Sequence, residues 1–165
     1  MQAVEILDVK QFMQLLLQSP AFDFYEMVSA TLRTDMDYSI DGKWNQSFFD
    51  EEEIDTNKLN DYTYLPWSLA KAKIFAIIKG KKTPTVMKIV FKMSNANLES
   101  FLHSSNSSQN PNGITGVYLN IIFQEQKLNV TCSVSYKNFN LDKSLEQDFF
   151  NSFITLLKSN SISSQ

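Results

Sequence analysis

The stretch "GVYLNIIFQEQKLNVTCSVSY", residues 116–136, decides the fold class. Val117, Leu119, Ile121 and Phe123 alternate with Tyr118, Asn120 and Gln124. Leu128, Val130, Cys132, Val134 and Tyr136 then alternate with Asn129, Thr131, Ser133 and Ser135. A period of two means a strand with one buried and one wet face. Two such runs in succession describe a long antiparallel hairpin. A sheet with one dry face needs a covering layer, so the rest of the chain has to supply helices.

It does. After a short strand over residues 2–7, Asp8 stands where an N-cap would, and Val9, Phe12, Met13, Leu16 and Leu17 form one apolar stripe. Ser19-Pro20 ends that helix. Residues 24–33 and 36–44 read as a second hairpin around the turn residues "RTDMD". The acidic run "DEEEIDTNKLND" (50–61) reads as a solvated loop, because like charges repel. Pro66 opens a helix with Trp67, Ala70, Ile74, Ile77 and Ile78 as its apolar face, and Gly80 stands at its C′ position. A strand follows over 85–93. Ser94 or Asn95 then caps a short helix burying Leu98, Phe101 and Leu102. Residues 104–113 read as a flexible loop and 159–165 as a disordered tail. The last helix spans about 142–158, with Ser144 and Gln147 spaced as a capping box.

The expected architecture is therefore α+β: a single domain over 1–165, with antiparallel hairpins packed against helices. Its element order, β-α-β-β-α twice over, suggests pseudo-duplicated halves at about 1–80 and 84–158.

Composition narrows the function classes. Of 165 residues, 43% are hydrophobic, enough for a packed core. The net charge of −3 excludes a globally basic nucleic-acid binder but leaves room for a local basic face. Cys132 is the single cysteine, so no internal disulfide forms. The N-terminal stretch lacks a basic region before its apolar residues, and no run reaches the roughly 20 apolar residues of a membrane span. A cytoplasmic protein without membrane contact is the expectation.

The segments "LDVKQFMQLLL", "IDGKWNQSFFDEEE", "IKGKKTPTVMKIVFKMS", "GITGVYLNIIF" and "FNLDKSLE" resemble a family of small proteins of unknown function from anaerobic Gram-positive bacteria. That resemblance implies no activity and no site residue. The element order is also similar to one domain of a DNA sliding clamp, which implies helices facing DNA. "YLPWSLAKAKIFAIIKGKKTPTVMKIVF" would match the second helix and following strand of such a domain.

Individual residues add little chemistry. His103, the only histidine, sits where it complements a helix C-terminus. Cys132 lies on the apolar side of its strand and lacks a thiolate-stabilising neighbour in sequence. The acidic run lacks the spacing of a calcium loop. "GKKT" lacks the upstream glycine and the strand-to-helix order of a phosphate loop. No catalytic residue, metal site or cofactor is assigned.

The lysines remain. Lys71, Phe75 and Lys79 share one helix face, and Lys81 and Lys82 extend it past the helix end. Lysine there suits the helix dipole, but that role does not account for Phe75 or for the charge beyond the cap. These five residues are the candidate anion- or partner-binding strip. The leading functional reading is a non-enzymatic interaction or scaffold domain, with a protein partner or a homo-oligomer as its natural company. The alternative is a DNA-associated, clamp-like accessory protein using the lysines. A third is an enzyme whose site has no recognisable motif.

Overall fold

A computed structural model describes residues 1–165. Six strands form one antiparallel sheet: β1 (Gln2–Ile6), β2 (Tyr25–Arg33), β3 (Asp37–Asp41), β4 (Val86–Met93), β5 (Ile114–Gln124) and β6 (Lys127–Tyr136). Their order across the sheet is β1-β6-β5-β4-β2-β3. Five helices accompany them: α1 (Val9–Gln18), α2 (Glu51–Thr56), α3 (Trp67–Ile78), α4 (Asn95–Ser104) and α5 (Ser144–Ser159). The fold class is α+β.

Alternation in the central strands sets the layering. Val117, Leu119, Ile121 and Phe123 of β5 are buried, as are Leu128, Val130 and Cys132 of β6. Met87, Ile89, Phe91 and Met93 continue that face across β4. Phe12 and Leu16 of α1, Trp67, Ala70 and Ile74 of α3, and Leu145, Phe149, Phe153 and Leu157 of α5 belong to the same core. On the opposite face, Val90, Asn120 and Thr131 lie in one cross-strand row. Asn120 Nδ2 donates to Thr131 Oγ1 there at 3.3 Å. That row is polar enough to stand without a second helix layer.

The order of strands does not repeat as tandem halves would. Equivalent halves would seat β1 beside β2, as β4 lies beside β5. Instead β1 pairs with β6, and β4 sits between β5 and β2. Central strands with long apolar alternations take the middle, and each half contributes to the other's edge.

The acidic run is not a loop. Asp50 caps α2 in a reciprocal box: Glu53 N–H donates to Asp50 Oδ1 at 2.8 Å, and Asp50 N–H donates to Glu53 Oε2 at 3.0 Å. Carboxylates in a first turn also favour the helix dipole, and buried Ile54 and Leu59 anchor the segment. Conversely, Ser144 and Gln147 make no capping box. Ser144 is the first helical residue, its N–H held by Asp142 Oδ1 at 2.9 Å. At the start of α1, Asp8 forms no side-chain cap. Its carboxylate accepts the Ser163 N–H at 2.6 Å instead, and that bond holds the acid below its ordinary range. The 104–113 segment is shorter as a loop than expected, since α4 reaches Ser104 and Pro111–Gly113 forms a 3-10 turn.

The C-terminal residues, expected to be a disordered tail, pair with β1. Glu5 and Gln165 exchange backbone bonds at 2.8 and 2.9 Å, and Leu7 N–H donates to Ser163 O at 2.9 Å. Ile162 is buried beneath them. Composition misleads here because the unpaired edge of β1 offers backbone partners that a serine-rich segment can use. Ile162→Ala should therefore cost about 2–5 kcal/mol, the range for a large aliphatic truncated in a core. Chemical denaturation of the full chain measures it; an unchanged midpoint would mean the segment is not docked.

Candidate functional site

Lysine placement follows from how α3 ends. Its helical pattern stops at Ile78, and Lys79 takes an extended conformation while its N–H still donates to Phe75 O at 2.8 Å. Gly80 follows at φ +148°, a backbone state that side chains disfavour. The chain then swings out through Lys81 and Lys82 before Pro84 and β4. This exit leaves a groove between α1 and the end of α3.

The groove has a volume of about 510 Å³, within the range of ligand-binding clefts. Met13 and Leu17 of α1 line one side, Phe75 and Ile78 of α3 the other, and Met87 and Phe123 of the sheet contribute below. Lys10, Lys79 and Lys82 contribute its cationic lining, with Gln14, Gln18 and Thr83 as the neutral polar groups. Phe75 is 40% exposed. None of these three lysines forms an ion pair within the chain, whose four salt bridges lie elsewhere. Chemically, the arrangement can attract an anionic group and cover an apolar one. Its lining holds no carboxylate, imidazole or thiol.

The five nominated residues divide. Phe75, Lys79 and Lys82 come together in the groove. Lys81 is exposed but stands outside it. Lys71 leaves the strip altogether: its Nζ pairs with Asp23 Oδ1 at 2.7 Å and donates to Ser19 O at 3.1 Å. It ties α3 to the turn after α1. The lining residues not nominated include Lys10, Met13, Gln14 and Leu17 of α1. A signal existed, because Lys10, Gln14 and Gln18 recur at four-residue spacing beside Met13 and Leu17 on α1.

The other reactive groups are accounted for. His103 lies in the last turn of α4. Cys132 is fully buried, and burial, followed by the Glu146 carboxylate, pushes its thiol up to about 12. Glu26, also buried, accepts N–H bonds from Thr63 at 2.7 Å and Tyr64 at 3.2 Å. It secures the segment that runs into α3.

A model for a family of unknown function, DUF5721, matches residues 14–165. The chain belongs to that family. No curated protein and no solved structure matches it. The family match takes in all of β2 to α5, and the groove lies mostly within it, with Val9, Lys10 and Met13 of α1 just upstream.

Two outcomes separate structure from binding. Lys71→Met should lower stability by about 1–2 kcal/mol, the worth of a partly screened charged hydrogen bond, in equilibrium unfolding. Cys132 should stay unmodified by an aromatic disulfide reagent at pH 8 and react only in denaturant. A thiol titrating near 12 is ionised to only about one part in ten thousand at that pH. Rapid labelling of the native chain would contradict the buried geometry.

Proposed function

We propose that the protein is a non-enzymatic interaction domain whose groove between α1 and α3 binds an acidic segment carrying large apolar side chains. One observation carries this reading: a chain of net charge −3 keeps three unpaired lysines around an apolar cleft. Unpaired cations beside exposed apolar surface are what an acidic amphipathic partner would neutralise and cover. No helix is long and apolar enough to cross a membrane.

DNA is the other ligand the lysines suggest, but the groove presents as much apolar side chain as cation. Phosphate backbones are held mainly by charge.

Fluorescence anisotropy tests the reading with a labelled peptide alternating Glu with Leu and Phe. Binding is expected at low salt and should weaken as salt screens the rim. The double variant Lys79→Glu, Lys82→Glu should weaken it by about tenfold or more, equivalent to about 1.4 kcal/mol. Phe75→Ser should weaken it without changing its salt dependence. Duplex DNA binding that the same double variant abolishes, with no peptide binding, would overturn the proposal in favour of DNA. Binding of a fluorescently labelled fatty acid, with no peptide binding, would overturn it in favour of a small amphiphile.

A further inference from the structure

We infer that the groove's occupant is the acidic α2 region of a second copy of this chain, so that copies join head to tail. The inference rests on the groove being a site for acidic, apolar-bearing segments, as proposed above. It adds who supplies that segment.

The chain displays such a segment itself. Phe48 is 76% exposed, and it is the outermost ring of a short aromatic ladder. Its ring centroid lies 5.7 Å from that of Phe49, which lies 6.1 Å from that of Trp44. Trp44 Nε1 is fixed by a bond to Tyr62 O at 2.8 Å. Immediately after the ladder comes α2, whose Glu51, Glu52 and Asp55 side chains are exposed and form no ion pair. Ile54 beneath them is buried, so the element is anchored and not a loose tail. A protruding aromatic beside three free carboxylates complements an apolar cleft flanked by free lysines, and the carboxylates outnumber the two lysines, Lys43 and Lys73, that line the aromatic's own cleft.

The two features cannot meet within one chain. Phe75 and Ile78 of α3, with Lys79 just past its end, line the groove. Lys73, Ile74 and Ile77 face the cleft lined by Trp44, Phe48 and Phe49. At about 100° per residue Phe75 lies about 160° around α3 from both Lys73 and Ile77. A second copy is then the nearest source of the acidic element.

The most exposed apolar pair, Phe139 and Leu141, is a worse match. Phe139 and Leu141 are 90% and 80% exposed, but Lys137 and Lys143 flank them. Their one nearby carboxylate, Asp142, is occupied by Ser144 and Gln109. That loop would bring like charge to the lysine rim.

The contact joins two different surfaces, so every copy keeps one groove and one acidic knob to offer. Such a heterologous contact propagates into chains or closes into rings. The buried elements are short, so each link is weak, and assembly depends on concentration and on salt.

Sedimentation velocity of the full chain, over a concentration series at low and high salt, tests this. The wild type should sediment faster as concentration rises at low salt and return to the monomer rate at high salt. Lys79→Glu with Lys82→Glu should stay monomeric, as should Glu51→Lys with Glu52→Lys, which leaves the Asp50–Glu53 capping box intact. Mixing the two variants should restore assembly, because each then faces a partner of opposite sign at both contacts. Phe48→Ser supplies an independent check that leaves α2 untouched and should also remain monomeric. A wild type that stays monomeric throughout, while the acidic peptide still binds the groove, overturns the self-docking inference and leaves the interaction reading standing. If the peptide also fails, both fall. Assembly that persists in the lysine or Phe48 variants, or a mixture that does not reassemble, overturns the proposed pairing.

Discussion

Trp67 Nε1 donates to the carbonyl of Leu16 at 2.9 Å, and both residues are fully buried. Leu16 lies in the last turn of α1, where a carbonyl has no partner within its own helix. Burying that oxygen unpaired would cost about 1–3 kcal/mol. The first residue of α3 supplies the missing donor, and its indole then packs edge-on against Phe91 of β4, centroids 4.9 Å apart. One side chain thus joins two helices and the middle of the sheet. It also sets their direction: the N-terminus of α3 meets the C-terminus of α1, so the end of α3 returns toward Lys10 and Met13. The groove is a consequence of that antiparallel arrangement.

The charge of the groove follows from where cations can find partners. Lys71, one turn into α3, reaches Asp23 and the Ser19 carbonyl and becomes part of the scaffold. Lys79 and Lys82 come after the helix has ended, where no carboxylate of the chain is near enough to form an ion pair. Much of the chain's acidity is spent elsewhere, in the first turn of α2 and along the short edge strand β3, bounded by Asp37 and Asp41. Charges at a sheet edge discourage further strand pairing, so the acids of β3 have a structural use. Of those of α2 beyond the capping box, Glu51 and Glu52 favour the helix dipole, and neither they nor Asp55 forms an ion pair within the chain.

What could be read from the chain alone follows the range of the forces involved. Period-two alternation identified β5 and β6, with Cys132 on the dry side, because burial on one face is a local pattern. The Ser94 cap was equally local, and its hydroxyl does accept the Asn97 N–H. The α2 helix was also local, since Asp50 and Glu53 have capping-box spacing. It was obscured because five acids within six residues look repulsive until the helix dipole and the reciprocal bonds are counted. Strand order was not legible: that β4 rather than β1 lies beside β2 depends on pairings between residues some sixty apart. The docked C-terminus was hidden for the same reason, its partners being at the other end of the chain.

The groove belongs to this second category, and helical spacing alone does not define it. Helical spacing placed Phe75 and Lys79 on one face, which is geometry within one element. Whether that face meets solvent, core or another helix is decided by α1, some sixty residues earlier. α1 contributes Lys10, Met13 and Leu17, while the pairing of Lys71 with Asp23 removes a cation that spacing alone had included. Three members of the strip, Phe75, Lys79 and Lys82, therefore line a cleft that joins cationic and apolar side chains. The difference matters physically. A flat lysine face offers charge alone, whereas this cleft offers the exposed Phe75 ring beside its cations.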